Sequence, residues 1–144
     1  MDYVASAVMN TQITTVDAGT SVSELEALFV KAGVNGFPVV DGDQLVGVVS
    51  KTDVLQAQHA AATSSEGSAD SLCVRDIMTA DVVSVVPNAN LHKVAELMFT
   101  KRLHRILVVE HGTIMGIITP FDFVRLYASD KIGTQALPPN PLDF

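Results

Sequence analysis

Along the chain the spacing of apolar residues switches from strand-like to helix-like and back, and the same succession of switches occurs twice. Ile13-Thr14-Thr15-Val16 has the short β-branched pattern of a strand, after which Val22, Leu25, Leu28, Phe29 and Ala32 recur at the spacing of an amphipathic helix. Phe37-Pro38-Val39-Val40 and the run from Leu45 to Ser50 flank Asp41-Gly42-Asp43, an Asp-Gly hairpin signal, and a further helix is expected from near Thr52. Shifted by 69 residues with no gap, the pattern returns. Val82-Val83-Ser84-Val85 reads as the strand, Leu91, Val94, Leu97 and Met98 as the helix, His111-Gly112 as the turn, and a last helix starts near Phe121. Met9 falls on Met78, Val16 on Val85, Leu28 on Leu97, Val39-Val40 on Val108-Val109, Gly47 on Gly116 and Asp53 on Asp122.

Each copy therefore predicts the order strand, helix, strand, strand, helix. Ser21 with Glu24 suits a capping box at the first amphipathic helix, and Asn90 a simple N-cap at its counterpart. A lone three-stranded sheet would leave a face uncovered, so the fold class expected is α/β (α+β), two βαββα repeats packed about a pseudo-twofold axis. Val39, Val40, Val48, Val49, Val108, Val109, Ile117 and Ile118 are expected to be largely buried. The divisions predicted are a first repeat over 1–58, a flexible linker over 59–72 where small polar residues displace the apolar period, a second repeat over 73–127, and a tail over 128–144. The tail's three prolines between Leu137 and Phe144 cannot continue a helix. Clefts between the repeats are the natural ligand sites.

Composition narrows the function. With 48% apolar residues in 144, the chain can build a sizeable core. Mean hydropathy is high (+0.34), but apolar runs such as Ile114-Met115-Gly116-Ile117-Ile118 fall far short of the ~18 residues of a membrane span. Met1-Asp2-Tyr3-Val4-Ala5 lacks the basic start of a secretory signal, so no membrane association and a cytoplasmic location are expected. The single cysteine, Cys73, cannot form an intrachain disulfide and reads as a small semi-buried residue. A net charge of −7 opposes contact with a polyanionic backbone, so no nucleic-acid partner is expected. His59, His92, His104 and His111 lack metal-ligand spacing, and phosphate-loop and dinucleotide fingerprints are absent. No enzyme, catalytic residue, metal or catalytic cofactor is expected.

Two features could bind a ligand. Ser50-Lys51-Thr52-Asp53 and Thr119-Pro120-Phe121-Asp122 occupy equivalent places at strand ends. A hydroxyl at N-cap, an acid at N3 and Pro120 at N1 are also how a helix starts, so capping and ligand binding both remain open. A carboxylate so placed can accept both hydroxyl protons of a ribose. Lys101-Arg102-Leu103-His104-Arg105 is a local cationic stretch in an acidic chain. Lys101 and Arg102 suit a helix C-terminus, whereas His104 and Arg105, at the start of a strand, suit phosphate.

With these residues in place the chain resembles tandem cystathionine β-synthase domains, the CBS pair or Bateman module. The resemblance is carried by Val8-Met9 and Ile77-Met78, Gly36 to Asp41, Leu45 to Asp53, His104 to Glu110 and Met115 to Asp122. It implies a regulatory protein binding AMP, ADP, ATP or S-adenosylmethionine, an adenine nucleotide acting as regulatory ligand, in clefts that borrow from both repeats. One cleft would use Asp122 on ribose, Thr119 beside it, and backbone near Thr14, Val34, Asn35 and Gly36. The other would use Asp53 and Ser50, walled by Val83, Leu103 and His104. Arg105 resembles a phosphate contact, and Pro38 and Phe121 complete the set. The Asp122 cleft is expected to bind better, because Asn35-Gly36 let adenine approach the backbone where Leu103 and His104 are bulkier. Output is expected through association: a homodimer through the helical faces of Leu25, Leu28, Val94, Leu97 and Met98, and an effector protein of unknown identity. A ligand-free dimerisation scaffold is the alternative.

Overall fold

The structure, a computed structural model, describes residues 3–63 and 71–129. The first repeat runs α1 (Ala5–Val8), β1 (Val16–Asp17), α2 (Val22–Ala32), β2 (Gly36–Asp41), β3 (Gln44–Ser50) and α3 (Lys51–Thr63). The second runs α4 (Val74–Ile77), β4 (Ser84–Val85), α5 (Leu91–Lys101), β5 (Ile106–Glu110), β6 (Thr113–Ile118) and α6 (Pro120–Ala128). Each forms a three-stranded sheet, β1-β2-β3 or β4-β5-β6, in which a parallel pair is followed by an antiparallel hairpin. The registers shift at equivalent places, Val39/Val40 and Val108/Val109. The mixed α+β fold of two βαββα units is the one expected, with the short helices α1 and α4 added in front.

Those leading segments cross over. Val4 bridges Asn90 and Asn10 bridges Ile117, while Cys73 bridges Ser21 and Thr79 bridges Val48. The two sets map onto each other under the 69-residue shift, as a pseudo-twofold requires. Each repeat thus packs its opening turn on its neighbour. Val74 belongs to the core built from Val16, Leu25, Phe29, Val39 and Val49, and Ala5 and Val8 to the one built from Val94, Met98, Ile106, Val108 and Ile118. Burying a side chain of this size contributes ~1.5–3 kcal/mol, so neither core is complete without the other repeat's segment. The crossing also explains why the repeats share Met and Gly at matching places. A Cβ on Gly47 would stand 2.7 Å from the Thr79 carbonyl oxygen and 2.8 Å from Met78 Sδ, and one on Gly116 would stand 2.6 Å from Met9 Cγ. Each methionine needs the bare glycine opposite it to reach the sheet.

Several expectations change. β1 and β4 are only two residues each, because the chain ahead of them runs past the sheet toward the clefts. α3 continues to Thr63, into the stretch expected as linker, since the alanines from Ala57 to Ala62 favour helix without an apolar period. Leu72 is held by Val22 N–H on its carbonyl, 3.0 Å. Residues 64–70 and 130–144, half of the expected linker and most of the expected tail, lie outside the described residues. Val39, Val49, Val108 and Ile118 are buried, whereas Val40, Val48, Val109 and Ile117 are half-buried because the strands alternate between a helix-covered face and the cleft side. Leu25, Val94 and Met98 are buried in the two cores rather than left for a partner.

Helix ends follow local chemistry. Ser21 Oγ accepts from Glu24 N–H (3.1 Å) and Asn90 Oδ1 from His92 N–H (2.9 Å). α2 ends on Gly33 in the left-handed region (φ 66°), but the matching position after α5 is Arg102 (φ 55°). Asp76 receives the Cys73 N–H (2.9 Å) and thiol (3.3 Å), which hold its carboxyl below the usual range.

Candidate functional site

The two repeated Ser/Thr-x-x-Asp motifs do start helices. Asp53 Oδ2 accepts from Ser50 N–H (2.7 Å) and Ser50 Oγ (3.0 Å), while Asp53 N–H donates to Ser50 Oγ (3.2 Å). Asp122 Oδ2 likewise accepts from Thr119 N–H (2.8 Å) and Oγ1 (3.3 Å). The cap occupies one carboxylate oxygen and fixes the other in direction, so capping and ligand binding are compatible rather than competing. What differs is the second oxygen. Among the described residues nothing meets Asp53 Oδ1, whereas Asp122 Oδ1 lies 3.2 Å from Arg125 Nη2.

Asp53 opens onto a cavity of about 540 Å³. Its walls are apolar, with Phe37, Pro38, Val48 and Val49 from β2 and β3, Val82 and Val83 from the chain before β4, and Leu103 and Leu107 from the second repeat. Asn35, Gly36, Ser50, Thr79, Asp81, His104 and Arg105 supply the polar lining. Arg105 stands at the pseudo-twofold axis: its Nη1 donates to the carbonyl of Gly36, 3.4 Å away and its own counterpart under the repeat. At one long contact, that guanidinium keeps most of its donors for something else. An apolar cavity whose lining also includes a carboxylate and an arginine can take a flat heterocycle, a diol and an anion together.

Asp122 borders a smaller cavity of about 350 Å³, lined by Met9, Asn10, Thr11, Gln12 and Arg125. Only Met9 offers an apolar wall. Arg125 also donates to the Val8 carbonyl (3.3 Å), which ties α6 to the crossed α1.

Residues 4–60 and 74–129 each match the CBS domain family. The chain belongs to the CBS domain family. It is 30% identical over 124 residues to the uncharacterized protein MJ1225 of Methanocaldococcus jannaschii, covering 85% of this chain and 42% of that one. The CBS domain-containing protein YhcV of Bacillus subtilis is 26% identical over 129 residues, covering 90% and 89%. The chain spans less than half of the first curated relatives it matches, 42%, 21% and 44% of their lengths. Among solved structures, CBSX2 in complex with AMP superposes with a TM-score of 0.75 at 30% identity, covering 90% of this chain and 99% of that one. CBSX2 from Arabidopsis thaliana gives 0.75 at 29%, covering 91% and 98%.

Within this CBS pair the residues singled out from sequence are distributed unevenly. Asn35, Gly36, Pro38, Ser50, Asp53, Val83, Leu103, His104 and Arg105 all line the Asp53 cavity, so Asn35 and Gly36 line the Asp53 cavity and not the Asp122 one where they were expected. Gly36 and its counterpart Arg105 meet each other, and both line the Asp53 cavity and not the Asp122 one. Thr14, Val34, Thr119 and Phe121 line neither cavity. Thr14 is exposed, Val34 packs on the first core, Thr119 caps α6, and Phe121 is 72% exposed. Thr79, Asp81 and Val82 were not legible as site residues, nor was Arg125. The first three arrive through the crossover, whose trace in the sequence is the paired Met9/Met78 and Gly47/Gly116.

Proposed function

We propose that this CBS pair is a regulatory module that binds one adenine nucleotide, AMP, ADP or ATP, in the Asp53 cleft and passes its occupancy to an effector protein. The observation that carries the reading is that Asp53, with no hydrogen bond on its Oδ1 among the described residues, and Arg105, with one long contact, line the same apolar cavity. The ribose diol would sit on Asp53 and Ser50, adenine between Val83 and Leu103, and phosphate on Arg105 with His104 beside it. S-adenosylmethionine carries a cationic sulfonium and a single carboxylate where the nucleotide carries phosphate, which favours the nucleotide beside Arg105. The AMP-bound CBSX2 supports an adenosine-type ligand. Asp122 takes the lesser part, the reverse of the order expected from its small neighbours, because Arg125 already uses its second oxygen.

A homodimer belongs to the same proposal, on a different surface from the one first expected. Exposed apolar residues fall on repeat-related positions, Val30 with Phe99 and Leu55 with Val124, and Tyr127 adds to them. Symmetric pairing is the common way to cover such a surface. The completed capping boxes favour a second reading, in which both aspartates serve folding alone and the pair is a scaffold. Calorimetric titration with AMP, ADP, ATP, S-adenosylmethionine and adenosine separates the two: saturable uptake of the nucleotides ahead of adenosine is expected, and no uptake of any of them leaves the scaffold.

A further inference from the structure

The structure assigns Arg125 a role in stoichiometry: we propose that it is the built-in occupant of the Asp122 cleft and limits the chain to one nucleotide. The proposal rests on the adenylate reading above and concerns the cleft that reading leaves empty. A ribose diol needs a free carboxylate oxygen. Asp122 has none, since Oδ2 is spent on the Thr119 cap and Oδ1 on Arg125. Arg125 is held from two sides, by Asp122 at 3.2 Å and by the Val8 carbonyl at 3.3 Å, and so spans the floor between α6 and the crossed α1. The Asp122 side chain is only 13% exposed, while the Arg125 side chain that meets it is 60% exposed. A sheltered carboxylate depends on its counter-ion more than a surface one does, so a ligand that displaced the guanidinium would have to replace that interaction before gaining any contact of its own. The repeat supplies the control: the position matching Arg125 is Gln56, which makes no contact with Asp53.

The test compares AMP stoichiometry in the full chain with that of Arg125→Gln, which copies the first repeat, and Arg125→Lys, which keeps a cation. Wild type and Arg125→Lys should take up one AMP, and Arg125→Gln two, the second more weakly. Asp53→Ala combined with Arg125→Gln should keep that weaker site alone. Two AMP per wild-type chain, or no more AMP per Arg125→Gln chain than per wild-type chain, would overturn the proposal. Should wild type bind no AMP, the adenylate reading of the Asp53 cleft falls; a site gained in Arg125→Gln would still uphold Arg125 as the occupant, and no gain would sink both.

Discussion

The two clefts are built from the same backbone, one repeat shift apart, and yet offer different chemistry. Both have an aspartate at N3 of a helix, capped through Oδ2 by a hydroxyl three residues earlier. Among the matching side chains that differ are Arg105 against Gly36, Gln56 against Arg125, and Leu103 against Val34. At the Asp53 side a cation shares an apolar cavity with the aspartate without pairing to it; at the Asp122 side the cation sits on the aspartate itself. Under the proposed function, duplication sets where a ligand can go, and the position of one arginine relative to one carboxylate sets whether it binds.

The sharpest break of that comparison is in the aspartates. Losing one charge-assisted hydrogen bond costs ~1.5–3 kcal/mol, so Asp53→Ala should weaken AMP about tenfold to a hundredfold in a calorimetric titration. Asp122→Ala should leave AMP affinity near wild type, and a larger loss there than at Asp53 would reverse the assignment of the clefts. Next in size is the crossover. Gly47→Val pushes a branched side chain against Met78 and the Thr79 carbonyl, and overpacking of this kind costs ~1–3 kcal/mol in a denaturant melt. Gly116→Val should cost a similar amount against Met9 but spare AMP binding, because Thr79 lines the Asp53 cleft and Met9 does not. Equal effects of both on AMP would mean the clefts are not separable.

Arg105→Ala should weaken AMP about tenfold while leaving adenosine unchanged, since only the phosphate needs a guanidinium. A parallel loss for adenosine would make Arg105 a wall residue. The smallest effect is on stability alone. Arg102 closes α5 in a left-handed conformation that Gly33 supplies without strain after α2. Arg102→Gly should therefore raise unfolding free energy by about 1 kcal/mol, and a lower denaturation midpoint would show that its side chain contributes more than its backbone costs.

Much of this was legible along the chain. The 69-residue shift announced both repeats, β-branched runs, an Asp-Gly turn and helical spacings pointed to the strands and helices, and Ser50, Asp53, His104 and Arg105 stood out as chemistry at strand ends. The crossover was hidden because its bridges join residues such as Val4 and Asn90, far apart in sequence and without any shared period. Only the matched methionines and glycines hinted at it, and their meaning needed the 2.7 Å approach at Gly47 to become visible. Arg125 was hidden for the opposite reason: at three residues from Asp122 it looks like any pair on a helix surface. Its effect appears only once Thr119 is seen to hold the other oxygen.

The most direct measurement is a crystal structure of the chain grown with AMP in excess. The expected result is one nucleotide per chain, its ribose on Asp53 Oδ1, its adenine between Val83 and Leu103, its phosphate at Arg105, and Arg125 still on Asp122. Nucleotide seated on Asp122 with the Asp53 cleft empty would contradict the account.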